Sequence, residues 1–186
     1  MEEKAKQSII NATFELLEKK DMNSISVREI AAKAGVNVAT ISYYFGGKAQ
    51  LFSYLMEVYW KDLIELCENF LEKETITKED AFTFCKSFLL KEMDSTGIIR
   101  SEQSMYHNYS IDDKTKERLF LQFKAFRRLI VSFYNGSGDE TVILAKVIAM
   151  ISALSEPAFW SDMAAQLVGD IDSFIDVYIE QLLFQI

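Results

Sequence analysis

Residues 26–48, SVREIAAKAGVNVATISYYFGGK, decide how the N-terminal part of this chain folds. Ser26 and Glu29 have the spacing of a capping box, in which each side chain accepts a hydrogen bond from the other residue's backbone amide. A helix is therefore expected to start at Val27. Gly35 can end that helix, because glycine adopts the left-handed conformation without a clash at Cβ.

A second short helix is expected directly after the glycine. Asn37 has a side-chain oxygen that can cap a helix running from Val38 to Tyr44. Only Gly35, Val36 and Asn37 then separate the two helices. This length of turn is typical of a helix-turn-helix, the motif that places its second helix in the major groove of DNA.

The composition predicts an all-α protein. The chain has 186 residues, 49% of them hydrophobic, with one proline and seven glycines, and no long stretch alternates with the period of two that a strand requires. We expect about nine helices. They form a three-helix DNA-binding domain over residues 1–47 and a larger effector-binding and dimerisation domain over residues 48–186, linked by a helix at 48–72.

The apolar spacing and the breaker residues give the predicted helix limits. Pro157 either kinks the helix before it or begins the next one. The N-terminus lacks the basic end and cleavage site of a signal peptide, and no apolar run is long enough for a bilayer, so we expect a cytoplasmic protein without membrane contact. Asp139 and Glu140 suit the start of a helix electrostatically, and its residues 142–154 are mostly apolar. The other predicted helices are 3–20, 77–97, 98–107, 112–134 and 170–184.

The charge is distributed unevenly. The chain has a net charge of −8, which is unusual for a nucleic-acid binder, but residues 1–50 carry a net +1 and the remainder a net −9. DNA contact is therefore plausible at the N-terminal end alone, and the acidic remainder helps to keep the rest of the protein away from phosphates.

The apolar C-terminal helices predict a subunit interface. The helix at 142–154 is apolar nearly all round and the helix at 170–184 has apolar residues on two faces, so one face can meet the core while the other needs a partner. We expect a second copy, because two helices from each subunit form an isologous four-helix contact. The alternative is a monomer with two central helices. The predicted interface residues are Val147, Ile151, Leu154, Phe174, Val177, Tyr178 and Gln181.

The stretch from Val27 to Phe52, VREIAAKAGVNVATISYYFGGKAQLF, resembles the TetR family of transcriptional regulators. It follows that family's pattern of a helix, an Ala-Gly-Val turn, an aromatic recognition helix, then Phe, a short turn and Lys. The recognisable similarity covers about residues 8–55. It implies a homodimer that binds a palindromic DNA operator and a small-molecule effector, with repression, relieved by the effector, as the usual mode of action.

Helix geometry indicates which side chains of the second helix face outward. At about 100° per residue, Ile41 and Phe45 point into the small core, so Ala39, Thr40 and Tyr43 point away from it, with Ser42 and Tyr44 beside them. The hydroxyls can reach bases or phosphates, and Lys48 can reach a phosphate from the start of the next helix. The predicted DNA-binding residues are Ser26, Arg28, Val38, Ala39, Thr40, Ser42, Tyr43, Tyr44 and Lys48.

Several of these residues have other possible roles. Tyr44 can pack inside, Arg28 can pair with an acidic residue such as Glu29, and Ser26 can serve as a cap alone. The sequence also departs from the TetR pattern at Ser42, where an aromatic residue is common, and at Tyr44, where histidine is common. The departure concerns individual DNA contacts and leaves the fold prediction intact.

The family resemblance places an effector pocket among the middle helices. Here these helices supply many aromatic residues, and the segment 105–109, MYHNY, combines aromatic surfaces with polar tips that suit a mostly apolar cavity. A stripe of phenylalanines also suits an ordinary core, and both interpretations stay open. The predicted effector-binding residues are Phe84, Phe88, Met105, Tyr106, His107, Tyr109, Phe123, Phe126 and Trp160.

An enzyme is the main competing class. The chain lacks GxSxG, HExxH and paired CxxC motifs, and one histidine with two separated cysteines does not make a usual zinc site. Gly47-Lys48 is followed by Ala49 rather than the Ser or Thr of a phosphate-binding loop. We therefore expect no catalysis, no cofactor and no metal. The second alternative is a helical small-molecule sensor that does not bind an operator.

Overall fold

The structure is a computed structural model that describes residues 2–99, 113–133 and 139–184. Every α-helix or 3-10 helix is separated from the next by a turn or loop, and the described residues contain no β-strand, which confirms the all-α prediction. Within the same ranges, no helix is long and apolar enough to cross a membrane. The helices are α1 (Glu2–Leu17), α2 (Val27–Ala34), α3 (Val38–Phe45), α4 (Lys48–Glu72), α5 (Lys78–Asp94), α6 (Asp113–Phe133), α7 (Glu140–Ser155), α8 (Pro157–Val168) and α9 (Ile171–Phe184), with a 3-10 turn at Met22–Ser24 and a helical turn at 96–99.

Local sequence signals locate most helix ends. The expected limits of α2 and α4 agree with the structure, and Pro157 begins α8 rather than kinking α7. Helix α7 starts at Glu140, as the acidic pair Asp139 and Glu140 predicts, and the Asp139 side chain caps it by accepting a hydrogen bond from the Thr141 amide at 2.9 Å. Helix α5 ends at Asp94 rather than near Gly97. The predicted helix over 98–107 lies mostly outside the described residues.

The chain divides into two compact units. The first comprises Met1–Lys61 with Ser95–Ser110, and the second comprises Asp62–Asp94 with Ile111–Ile186. The division falls within α4, between Lys61 and Asp62. This division follows contacts between residues and not function. The functional domain limits of 1–47 and 48–186 therefore stay a prediction.

The first unit is built on the packing of α1 against α2 and α3. Ile9, Ile30 and Ile41, one from each of these helices, are completely buried, and Leu51 of α4 joins them. The turn at 96–99 also belongs to this unit. Its Gly97 lies so close to the end of α1 that an added Cβ would stand 2.0 Å from the carbonyl oxygen of Leu17.

The second unit has an aromatic core between α4, α5 and α6. Phe84 stacks on Phe70 with ring centres 4.2 Å apart, and Phe126 lies 5.1 Å from Phe84 and 5.0 Å from Phe88. Near the C-terminal end of α6, Arg128 donates hydrogen bonds to backbone carbonyls at 71 and 73. This contact ties the C-terminal end of α6 to the segment just before α5.

Candidate nucleic-acid interface

The start of α2 is fixed by the expected capping box. The Ser26 hydroxyl accepts a hydrogen bond from the Glu29 amide at 3.2 Å, and the Glu29 carboxylate accepts one from the Ser26 amide at 2.8 Å. Both partners are therefore committed to the helix start. The structure gives Ser26 its capping role, and a DNA contact by this residue stays a prediction.

The carboxylate of Glu29 is held in its charged form. Lys20 donates a hydrogen bond to it and the Ser26 amide adds a second, and together they lower the pKa of Glu29 from 4.5 to about 2. The capping box is consequently intact across the neutral and mildly acidic range. Because Lys20 is the basic partner of Glu29, the suggested ion pair between Arg28 and Glu29 is not the one that forms, and Arg28 remains exposed.

Helix α3 is a rigid two-turn element between two glycines. Gly35 has φ +67° and ends α2, the Asn37 side chain accepts from the Ala39 amide at 3.0 Å, and Gly46 has φ +80° and ends α3. A non-glycine residue would be strained at either positive φ. The two glycines and the Asn37 cap therefore fix the ends of α2 and α3 and the short turn between them. The sequence predicts the first glycine and the Asn37 cap.

One face of α3 is left open to solvent. Ile41 is completely buried, whereas Tyr43 is 74% exposed although it is one of the largest side chains of the unit. The ring of Tyr43 meets that of Tyr44 edge on, with 5.0 Å between their centres. Of the predicted DNA-binding residues on α3, Val38, Ala39, Ser42 and Tyr43 are exposed, and Thr40 and Tyr44 are half-buried.

Lys48 lies at the first position of α4, next to this face. Its Nζ lies 3.5 Å from the backbone oxygen of Asn23 and 5.6 Å from the centre of the Phe52 ring. Neither contact cancels its charge with a carboxylate. Lys48 is half-buried, and it follows the end of α3 by three residues, so a phosphate contact by this residue stays a prediction.

Comparison with known proteins identifies the N-terminal part of the chain. A sequence profile for "Bacterial regulatory proteins, tetR family" matches residues 9–55, which include α2, α3 and the start of α4. This N-terminal segment is therefore similar to that of TetR-family regulators.

One relative resembles the N-terminal part of the chain in sequence, and two solved structures resemble the chain in fold. The protein named "Probable HTH-type transcriptional regulator YttP" of Bacillus subtilis is 43% identical over 69 residues, which are 37% of this chain and 33% of YttP. The match thus spans about a third of that relative's length. The structure of the MbdR regulator from Azoarcus sp. CIB has a TM-score of 0.68 at 17% identity and covers 98% of both chains. That of FadR from Bacillus subtilis, solved in complex with stearoyl-CoA, has a TM-score of 0.61 at 19% identity and covers 97% of this chain and 98% of FadR.

The predicted effector residues fall into three groups. Phe84, Phe88 and Phe126 are buried in the aromatic core, and Phe123 is half-buried. Trp160 lies in α8. The residues 105–107 and 109 lie outside the described part of the chain. The stripe of phenylalanines is therefore packed as a core, and its contact with an effector stays a prediction.

The predicted interface residues are divided between the interior and the surface. Val147 and Leu154 are completely buried on the inner side of α7, whereas Leu144 and Ile148, on the other side of the same helix, are exposed. The sequence did not indicate which side of α7 is exposed, because a helix that is apolar all round has no hydrophobic periodicity. The other predicted members lie nearer the surface: Val177 and Gln181 are exposed, and Ile151, Phe174 and Tyr178 are half-buried.

The sequence did not indicate the positions of two sets of polar groups. Glu92 of α5 and Arg118 and Gln122 of α6 are buried beside an apolar core. Lys6 of α1 lies against the ring of Phe45 at the end of α3 and the ring of Tyr54 in α4. Helical periodicity alone could have suggested the first set, since Arg118 and Gln122 are four residues apart and share the buried side of α6 with Phe126. The position of Lys6 depends on contacts between distant parts of the chain.

Proposed function

We propose that this protein is a dimeric, ligand-responsive transcriptional regulator of the bacterial cytoplasm, most simply a repressor that a small molecule releases from a palindromic operator. Helix α3 inserts into the major groove, and the dimer presents two such helices to two half-sites. The centres of the half-sites are separated by one helical turn of DNA, about 34 to 36 Å, or by a multiple of it.

The exposure of Tyr43 carries this proposal. Large aromatic side chains normally bury most of their surface, and Tyr43 is instead 74% exposed on a short helix whose two ends are fixed by glycine. It contributes little to packing of the unit. A rigid helix that presents an aromatic hydroxyl, small side chains and a serine to solvent is suited to a DNA groove, where tyrosine donates to phosphates and small residues approach base edges.

Replacement of Tyr43 by alanine tests the proposal. We expect Tyr43→Ala to weaken binding to a selected operator by about tenfold or more, which is about 1.4 kcal/mol, and to change the free energy of unfolding by less than about 1 kcal/mol, as for most surface substitutions. Phe120→Ala is a matched control, because Phe120 of α6 is also a largely exposed ring, at 65%, and lies in the other unit. It should leave operator binding unchanged.

Two results would argue against this function. A wild-type protein that enriches no common sequence from a library of duplexes would contradict operator binding, and a ligand response without duplex binding would favour the alternative of a helical sensor. A large loss of stability in Tyr43→Ala would mean that the ring is structural. Lys48→Ala should also weaken binding, with a smaller dependence on salt, if Lys48 contacts a phosphate.

The dimer is proposed to form through the outer sides of α7 and α9. Leu144 and Ile148 of α7 and Val177 of α9 are apolar and exposed, and an apolar surface of this kind is typical of a protein interface. Two helices from each subunit would then make a four-helix contact around a two-fold axis.

Charged substitutions at the exposed positions test the interface. The double variant Ile148→Glu with Val177→Glu should sediment as a monomer, because the carboxylates would be buried against each other. These positions are better targets than Tyr178, whose hydroxyl donates to the backbone oxygen of Ala153 at 2.5 Å and stabilises the subunit itself. Phe120→Glu is the control for adding charge to an exposed apolar site. A dimer that persists in the double variant places the interface elsewhere.

The effector is proposed to bind in the second unit. Arg118 and Gln122 are buried polar residues of α6, and they lie on the same side of this helix as the buried Phe126. A mostly apolar site with a few polar groups is typical of small-molecule pockets. A thermal-shift screen of the intact protein tests this, with stearoyl-CoA among the probes because FadR was solved with it. A compound that raises the unfolding temperature and lowers operator affinity would support the proposal. If Gln122→Leu responds to that compound as the wild type does, the site is elsewhere.

A further inference from the structure

Lys6 of α1 is held beside the C-terminal end of α3 by two aromatic rings. Its Nζ lies 5.8 Å from the centre of the Phe45 ring and 4.8 Å from the centre of the Tyr54 ring. These rings meet edge to face, with 5.5 Å between their centres. A cation within about 6 Å of an aromatic ring is attracted to its electron-rich face, so the two rings fix the position of this ammonium group.

The charge of Lys6 is not cancelled by a carboxylate among the described residues. In the same unit, Lys20 forms an ion pair with Glu29, and Lys33 forms one with Glu15 at 2.6 Å. A lysine paired in this way must give up its carboxylate before it can bind another anion. An aromatic ring has no net charge, so Lys6 keeps its full positive charge for an anion that approaches from solvent.

The rings place Lys6 at the border of the exposed face of α3. Phe45 is the last residue of α3. It faces the side of Ile41, away from Tyr43, but lies within about 60° of Ser42 around the helix. Ser42 is exposed and belongs to the predicted DNA surface. Lys48 follows Phe45 by three residues and begins α4. Positive groups from α1 and α4 therefore lie near the same end of α3.

We propose that Lys6 binds a phosphate oxygen of duplex DNA at the edge of the surface formed by α3. This inference rests on the proposed function and adds α1 to the elements that contact the DNA backbone. Because the rings hold the side chain before DNA arrives, little of its rotational freedom is lost on binding. The contact adds affinity and fixes the position of α3 without reading a base.

A purely structural role for Lys6 makes a different prediction. An ammonium group near the C-terminal end of a helix is favourable for that helix, and its methylene chain can cover the rings. Such a role would affect the stability of the folded protein and not the salt dependence of DNA binding. The two roles are separated by Lys6→Met, which keeps a long apolar side chain but removes the charge, and by Lys6→Arg, which keeps the charge.

The experiment measures the affinity of the intact protein for two duplexes over a range of about 50 to 200 mM salt. One duplex carries an operator selected by the wild type and the other has an unrelated sequence. For each phosphate contact that is lost, the slope of log K against log salt should become shallower by about 0.9. We expect Lys6→Met to lose this amount per bound subunit on both duplexes, Lys6→Arg to retain the wild-type slope, and the exposed control Lys19→Met to retain it too.

The outcomes distinguish this inference from the proposed function. A wild-type protein without salt-dependent duplex binding would overturn both. If the wild type binds but Lys6→Met has the same slope, the inference about Lys6 is wrong and the proposed function stands. A lowered unfolding temperature in Lys6→Met with an unchanged slope would assign Lys6 to the structure of the first unit alone.

Discussion

Replacement of Gly97 by alanine should destabilise the protein, because Gly97 packs directly on the backbone of α1. The added Cβ would lie 2.0 Å from the carbonyl oxygen of Leu17, 2.4 Å from its carbonyl carbon and 2.7 Å from its Cβ. Favourable contacts between such atoms occur at about 3.5 Å or more. The turn at 96–99 or the end of α1 would therefore have to move by about 1 Å or more.

Two opposing effects set the magnitude. Overpacking in a well-packed region costs about 1 to 3 kcal/mol, and the upper end applies here because backbone atoms cannot rotate out of the way. Alanine in a helical turn gains about 1 kcal/mol over glycine. The net loss is then about 2 kcal/mol, which lowers the unfolding temperature of a chain of this size by about 4 to 8 °C.

Thermal unfolding followed by circular dichroism measures this loss. Thr96→Ala is the matched control, because it lies in the same turn and places alanine there without adding a Cβ, so its unfolding temperature should stay close to that of the wild type. Gly97→Ala with an unfolding temperature equal to or above that of the wild type would refute the reasoning, since helix propensity would then outweigh the contact with Leu17.

Three further predictions concern thiols, an arginine and a carboxylate. Burial raises the pKa of the Cys67 and Cys85 thiols to about 12. A thiol reagent at pH 8 should therefore leave the native protein unlabelled and modify both cysteines in denaturant. Rapid labelling of the native protein would contradict their burial. Arg128→Lys should cost about 1 to 3 kcal/mol of stability in denaturant unfolding, because lysine lacks the planar fork that reaches several carbonyls. Arg127→Lys, in an exposed ion pair with Glu140, is the control and should change stability far less; equal losses would argue against the fork. The pKa of Glu29 in the folded protein is about 2, below its ordinary 4.5. Its charge therefore stabilises the protein above pH 4.5, and this stabilisation is lost as the pH falls through 2. Glu29→Gln should thus have a lower unfolding temperature than the wild type at pH 7, and the two unfolding temperatures should converge near pH 2; a difference that stays constant with pH would exclude linkage to this carboxylate.

The sequence predicts those parts of the fold that are determined by near neighbours. The capping box at Ser26, the left-handed Gly35 and the Asn37 cap act over two to four residues, and the structure contains all three as expected. The buried Ile41 follows from the helical period. These features are readable because the chemistry that sets them lies within one turn of helix.

Contacts between distant residues account for what the sequence did not indicate. Lys6 and Tyr54 are 48 positions apart in the chain, and Gly97 touches a helix that ends at Leu17, so neither contact leaves a local pattern. The outer face of α7 was also unreadable, because apolar residues lie on all its sides. In the second unit the same difficulty affects the effector site, since a phenylalanine stripe suits a core as well as a pocket.

Selection of bound sequences from a random duplex library by the wild-type protein, with Tyr43→Ala in parallel, tests the central claim most directly. The claim that α3 is one half of a dimeric operator reader predicts that the wild type enriches a near-palindrome whose half-site centres are about 34 to 36 Å apart, or a multiple of that distance. Tyr43→Ala, still folded, should enrich it poorly. Selection of no common sequence by the wild type, or equal enrichment by both proteins, would contradict the claim.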